Sequence, residues 1–113
     1  MSAPYHQIQI VVSVPALHLH AVLDAMADAG AGVIGNYTHC SYRSIGTGRF
    51  KPDSSADPAY GQKEAISEVE EYRIETICAR DRVKVVCAAI RAAHPYEEPM
   101  LYLFPLLDEN DFT

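Results

Sequence analysis

The chain is short of positive charge, cysteine and long apolar runs, and each shortage removes a class of function. Nine Lys and Arg stand against fifteen Asp and Glu, a formal charge of −6. That balance argues against phosphate-backbone binding as the main task, because affinity for nucleic acid comes chiefly from neutralised phosphates. It argues equally against an anionic membrane surface as partner. No apolar stretch approaches the ~20 residues that span a bilayer. No basic n-region precedes an apolar h-region either, so neither anchor nor leader is expected. The three cysteines, Cys40, Cys78 and Cys87, are odd in number and lack Cys-x-x-Cys spacing. Both facts speak against a disulfide framework and a Cys-only zinc site. A reduced, cytoplasmic setting is the simplest expectation.

What is present suffices for a core. The 113 residues are 49% hydrophobic, enough for one domain, 1–113, that buries roughly two-thirds of its unfolded surface without staples. His6 to Ser13 alternates, with Ile8, Ile10 and Val12 on one face, and reads as a half-buried strand. Val11 interrupts the polar face and hints that it too is partly covered. Pro15 suits the first turn of a helix to about Ala29, with Leu19, Val22, Leu23 and Met26 as its apolar stripe. Gly30 closes it. Gly30-Ala31-Gly32-Val33-Ile34-Gly35 has the letters of a dinucleotide fingerprint but follows a helix and leads to a strand. The fingerprint needs the reverse order, so turn chemistry is the better account.

Asn36 to about Ser44 reads as a second strand holding His39 and Cys40, continued through the glycines of Ile45–Phe50. Residues 51–63 are loop by composition, long for a connection that usually takes about 2–5 residues. That length suggests mobility or a task. Val69–Ala79 is a third strand with Tyr72, Ile74, Thr76 and Cys78 on one face. Asp81 is placed to cap a second helix, whose stripe is Val83, Val86, Cys87 and Ile90. Met100–Phe104 is an unbroken apolar strand, which predicts cover on both faces. The order is β-α-β-β-α-β. Right-handed crossovers then give an α+β, ferredoxin-like sandwich, with a four-stranded antiparallel sheet and two helices on one face. Its first and third strands are central, and its second and fourth are edges.

Between the second helix and the last strand lies Ala93-His94-Pro95-Tyr96-Glu97-Glu98-Pro99. Pro95 keeps His94 out of the αR region, so the helix must stop there. The segment holds polar groups at fixed positions. Together with His39 and Cys40 it supplies the candidate ligand-binding residues: His39, Cys40, His94, Tyr96, Glu97 and Glu98. Imidazole, thiolate and carboxylate also suit a divalent ion such as zinc, with His39, His94 and Glu97 as ligands. On opposite edges these groups would meet only in an oligomer that joins edges, which would also cover exposed strand edges. A structural reading stands beside this one. His94 can be favoured by the helix dipole and the last carbonyls, and Glu97 and Glu98 can pair with Arg43, Arg49 or Arg73. Gly46-Thr47-Gly48-Arg49 can bend a hairpin or present amides to an anion. His18 and His20 point different ways on the first helix and are expected to be solvated. Cys78 and Cys87 are expected to be inert packing residues. His39 and Cys40, as strand neighbours, would face opposite ways and cannot form a nucleophile–base pair.

Three segments are recognisable together: Gly30–Ser41, Gly46–Pro52 and Ala92–Pro99, with Val69–Glu75 between them. The chain resembles the insert domain of the dinuclear-metal-centre proteins, the interacting-factor-three-like family often labelled type 2 GTP cyclohydrolases. The resemblance covers nearly the whole chain. It implies a CutA/PII-like fold and a homotrimer. It also compares residues 51–63 with the effector loop of PII proteins, and so with a protein partner. The family's two-metal site belongs to flanking halves whose ligands have no positions here. The expectation is therefore a small oligomeric binding or regulatory module without catalysis of its own. Divalent-metal binding through His39, His94 and Glu97 is the alternative, and a hydrolase related to the family is a second one.

Overall fold

The computed structural model describes residues 5–113; the first four residues of the expected domain lie outside the described residues. Four strands and two helices follow in the expected order: β1 (Gln7–Pro15), α1 (Leu19–Asp28), β2 (Tyr42–Phe50), β3 (Ser67–Ala79), α2 (Val83–Ala93) and β4 (Leu101–Pro105). All strand pairs are antiparallel and the sheet order is β2-β3-β1-β4, with β1 and β3 central. Register is unbroken along each pair, from Tyr42↔Glu75 to Phe50↔Ser67 and from Gln7↔Ala79 to Pro15↔Glu71.

The core is where the two periodicities meet. Ile10, Val12 and Val14 of β1 and Ile74 and Cys78 of β3 occupy one row of the sheet. Against them lie Leu19, Val22 and Met26 of α1 and Val86 and Ile90 of α2. Each fully buried Ile or Val stabilises the fold by about 1.5–3 kcal/mol. Burial raises the pKa of both the Cys78 and Cys87 thiols, chiefly by desolvation, as expected of packing residues.

Several local expectations are corrected. A short 3₁₀ turn precedes each helix, Ala16–His18 and Arg80–Arg82, so Asp81 sits inside a turn and caps nothing with its side chain. The second strand starts at Tyr42, not Asn36, because the chain first makes a tight turn closed by Ile34 and Tyr37. Gly46 and Gly48 lie within β2 in regular register and form neither hairpin nor bulge. Val11 is fully buried, as its place on the polar face suggested, between Glu75 and Tyr102 of the neighbouring strands. The last strand departs from expectation. Leu101 packs on the core, but Tyr102 is 52% and Phe104 44% exposed. Among the described residues no helix is long and apolar enough to cross a membrane.

Candidate functional site

The stop signal ahead of Pro95 builds the site. His94 is the last helical partner, its amide still donating to the Ile90 carbonyl at 2.9 Å, but its backbone is extended (φ −83°, ψ 138°). The ring therefore leaves the helix axis. Its Nε2–H donates to the Ser13 carbonyl at 2.7 Å, and Nδ1 accepts the Tyr96 amide N–H at 3.1 Å. The pattern assigns a neutral imidazole with the proton on Nε2. At 7% exposure the ring is buried. Burial pushes its pKa below the ordinary value, while the Ser13 carbonyl and Glu71 pull the other way. The expected partnership with the helix's own last carbonyls is thus replaced by one with β1.

Tyr96 carries the next contact. Its phenol donates to Glu71 Oε2 at 2.8 Å, and burial, reinforced by Glu71, raises its pKa. Its ring lies 5.7 Å from Phe50, 5.8 Å from Tyr60 and 5.0 Å from His94, between centroids. Such tilted and edge-on contacts add about 0.5–1.5 kcal/mol each beyond area burial. His18 meets Tyr60 edge-on at 6.3 Å and is half-buried rather than solvated. Glu71 lies on the row of β3 opposite the helix-packed one, yet is only 5% exposed. Space for its carboxylate comes from Gly48 on the adjacent strand, where a Cβ would collide with it.

Residues 51–66 complete the enclosure. Pro52 is buried, and its carbonyl accepts the Glu64 amide at 2.6 Å, drawing the two ends of the loop together. The Asp57 amide donates to Glu97 Oε1 at 2.9 Å, tying loop to turn. Glu97 and Glu98 are otherwise exposed, without hydrogen bonds to the arginines considered for them among the described residues. Loop, turn and Glu71 bound a cleft of about 550 Å³, with Tyr102 at its rim. That size lies within the ~300–1,000 Å³ usual for small-molecule sites.

His39 and Cys40 are elsewhere. They precede β2 in a loop, with His39 in the left-handed region (φ 61°) and its Nδ1 2.9 Å from Thr38 Oγ1. Cys40 is pinned by its backbone: its amide donates to Gly32 and its carbonyl accepts from Thr76 Oγ1 at 2.8 Å. Gly32 is required there, since a Cβ would lie 2.6 Å from the Cys40 carbonyl oxygen. His39 and Cys40 line a second pocket of about 280 Å³ with His20 and Asp24. The structure therefore brings together His94, Tyr96, Glu97 and Glu98, but not His39 or Cys40. Among the described residues no three His, Cys, Asp or Glu side chains converge to hold a metal ion. A metal at His94 would also have to displace the Ser13 carbonyl or the Tyr96 amide.

Comparison with known proteins bears on this arrangement. No family model matches the chain. A GTP cyclohydrolase 1 type 2 homolog of Halalkalibacterium halodurans is 45% identical over 103 residues, 91% of this chain and 28% of its own length. A Bacillus cereus protein related to NIF3 superposes with a TM-score of 0.80 at 39% identity, covering 95% of this chain and 27% of that one. This chain is similar to one segment of these longer proteins. It spans only about 28% of the relative in Halalkalibacterium halodurans. The fold extends further. CutA1 of a psychrotrophic Shewanella, 16% identical, has a TM-score of 0.69 over 94% of this chain and 86% of its own. The Bacillus subtilis GlnK–ATP complex, 10% identical, has 0.60 over 89% and 84%. The segment is CutA/PII-like, as the family resemblance implied.

Local sequence patterns did not reveal Glu71 or the aromatic residues Phe50 and Tyr60 as members of this cleft. A signal for Glu71 existed in the two glycines of Gly46-Thr47-Gly48, which leave a bare strip on a strand destined to pair with Glu70 and Glu71. Nothing in the local pattern tied Tyr60 to Tyr96, because loop residues carry no periodicity.

Proposed function

We propose that this chain is a small, self-associating binding and regulatory module that takes a ligand in the cleft between residues 51–66, Glu71 and the His94–Glu98 turn. The observation that carries this reading is Glu71, a buried carboxylate at the wall of a 550 Å³ cleft rather than inside the core. Catalysis is not part of the proposal. Both His94 ring nitrogens are engaged and the Tyr96 phenol is held protonated, so neither is poised to move a proton near neutral pH. A homotrimer is the proposed assembly. In its support, β2 offers a nine-residue outer edge, and β4 bears the exposed Tyr102 and Phe104 on the other edge. Association through the edges would also carry His39 and Cys40 of one protomer towards the turn of its neighbour, the arrangement in which they would share in the site. The loop over the cleft is proposed to move with the ligand and to meet a protein partner.

The test is amide chemical-shift mapping with a panel of small molecules. Saturable shifts centred on Tyr60, Glu71, Tyr96 and Glu97 are expected. Saturation centred on the His39 pocket, or none anywhere, would overturn the assignment of the cleft.

A further inference from the structure

Glu71 carries a carboxyl group that is only 5% exposed, at the wall of the cleft. Its Oε2 takes the Tyr96 phenol at 2.8 Å, and no Lys, Arg or His donates to either oxygen among the described residues. No buried side-chain oxygen or nitrogen lacks a hydrogen bond among those residues. Oε1, which has no such partner, is therefore not sealed in; it opens to the cleft that Glu71 lines. A phenol supplies a hydrogen bond but no positive charge, so among the described residues the carboxyl group has no cationic side-chain partner. A cation that enters the cleft would find Oε1 open and unpartnered.

The walls favour a particular kind of cation. Phe50, Tyr60 and Tyr96 present mutually tilted aromatic rings, whose faces attract ammonium and guanidinium groups. They offer no oxygen cage for a bare Ca²⁺ or Mg²⁺, which needs about six ligands, and no three acidic or imidazole groups converge among the described residues. Charge at the rim points the same way. Asp53, Glu97 and Glu98 line the cleft with Arg49 and Lys51, but the two cationic residues are exposed while Glu71 is fixed and buried. An anionic ligand would have to pass the exposed carboxylates only to meet another.

Building on the cleft as a binding site, we infer that it receives a small organic cation, its ammonium or guanidinium group on Glu71 Oε1 and its apolar body against Tyr96, Phe50 and Tyr60. The charge can be borne by a free amine or by a lysine side chain of a partner.

Isothermal titration of the full chain at about pH 7 tests this with three probes of one shape: 2-phenylethylamine, protonated there, neutral 2-phenylethanol and anionic 3-phenylpropanoate. The amine is expected to bind at least tenfold more tightly than the alcohol. Glu71→Gln, which keeps an acceptor for the Tyr96 phenol and the side-chain volume, is expected to abolish that preference, and Lys84→Ala, at an exposed position of α2 outside the cleft, to preserve it. A capped Ala-Lys-Ala peptide binding more tightly than the free amine would place the cation on a protein partner. Weaker peptide binding would place it on a free metabolite; either result supports the cationic site. Equal affinity for amine and alcohol, or an amine preference that survives Glu71→Gln with the fold intact by its melting curve, overturns the inference. Preferential binding of 3-phenylpropanoate would sink the cation while leaving the cleft a binding site. Absence of saturable binding by all four probes would remove both.

Discussion

The phenol of Tyr96 donates to Glu71 Oε2 at 2.8 Å across a sequence separation of 25 residues, joining the turn after α2 to the middle of the sheet. It is the one side-chain hydrogen bond that this buried carboxylate receives among the described residues. Removing the donor while leaving the acceptor is the expensive direction, because the acceptor keeps its desolvation cost. Tyr96→Phe is therefore expected to destabilise the fold by about 1–3 kcal/mol. Glu71→Gln should cost less, because an amide oxygen still accepts the phenol. Urea denaturation of the two variants checks the ranking, and a Tyr96→Phe midpoint equal to wild type would refute it.

Gly48 and Gly46 make a paired test of how the carboxylate is housed. A Cβ at Gly48 would collide with the Glu71 carboxyl group, whereas one at Gly46 would meet nothing within 4 Å. Gly48→Ala is expected to push Glu71 from its seat, at a cost of about 1–3 kcal/mol for overpacking. Gly46→Ala should be neutral or slightly stabilising, since alanine restricts the unfolded chain more than glycine does. Thermal denaturation of the two proteins separates them. Equal effects would mean that Gly48 is not there to make room.

How much of this could be read from the letters depends on the range of the interaction. The strands and helices were legible because Ile8, Ile10 and Val12 alternate and Leu19, Val22, Leu23 and Met26 repeat at helical spacing, and both patterns are local. The break at His94 was legible for the same reason: Pro95 acts on its immediate neighbour. His39 was misplaced because Tyr, Thr and Cys around it favour a strand, whereas Gly32 lets the Cys40 backbone approach so closely that the chain turns first. That is a tertiary contact overriding propensity. The ring of Tyr96 on Glu71, and that of Tyr60 on Tyr96, join residues 25 and 36 apart, and no period encodes them.

His94 gives the stability of the fold a pH dependence with a definite sign. Burial depresses its folded pKa below the ordinary value, the Ser13 carbonyl and Glu71 offsetting only part of this. In the unfolded chain the imidazole takes up a proton near pH ~6.5, while in the folded chain it resists. The unfolded state then binds more protons, so stability is fully present above about 6.5 and falls as pH drops through the interval between the two values. It levels off once pH is below the folded pKa. Urea midpoints across this range, wild type against His94→Gln, isolate the residue because the other histidines cancel. The advantage of wild type should shrink on acidification from about 6.5; a constant difference would contradict the assignment.

The exposed face of β4 carries the last prediction. Tyr102 and Phe104 stand on the same row as the buried Val11, on a five-residue edge strand whose sequence has the apolar character of a covered one. Within one chain that character is unused: both rings remain about half exposed, and an apolar edge in water is a pairing hazard unless something covers it. Covering it with a second copy recovers about 25 cal/mol for each Å² of apolar surface and removes two open edges at once. Phe104 does not itself line the Glu71 cleft, and as a surface change Phe104→Asp should alter the stability of the isolated fold by only about 0.5 kcal/mol. In an assembly it would bury an unpaired charge, which costs several kcal/mol per ion. Light scattering at micromolar concentration should therefore give the mass of three chains for wild type and of one for Phe104→Asp. A wild-type monomer, or a variant of unchanged mass, would mean that the apolar edge serves some purpose other than self-association.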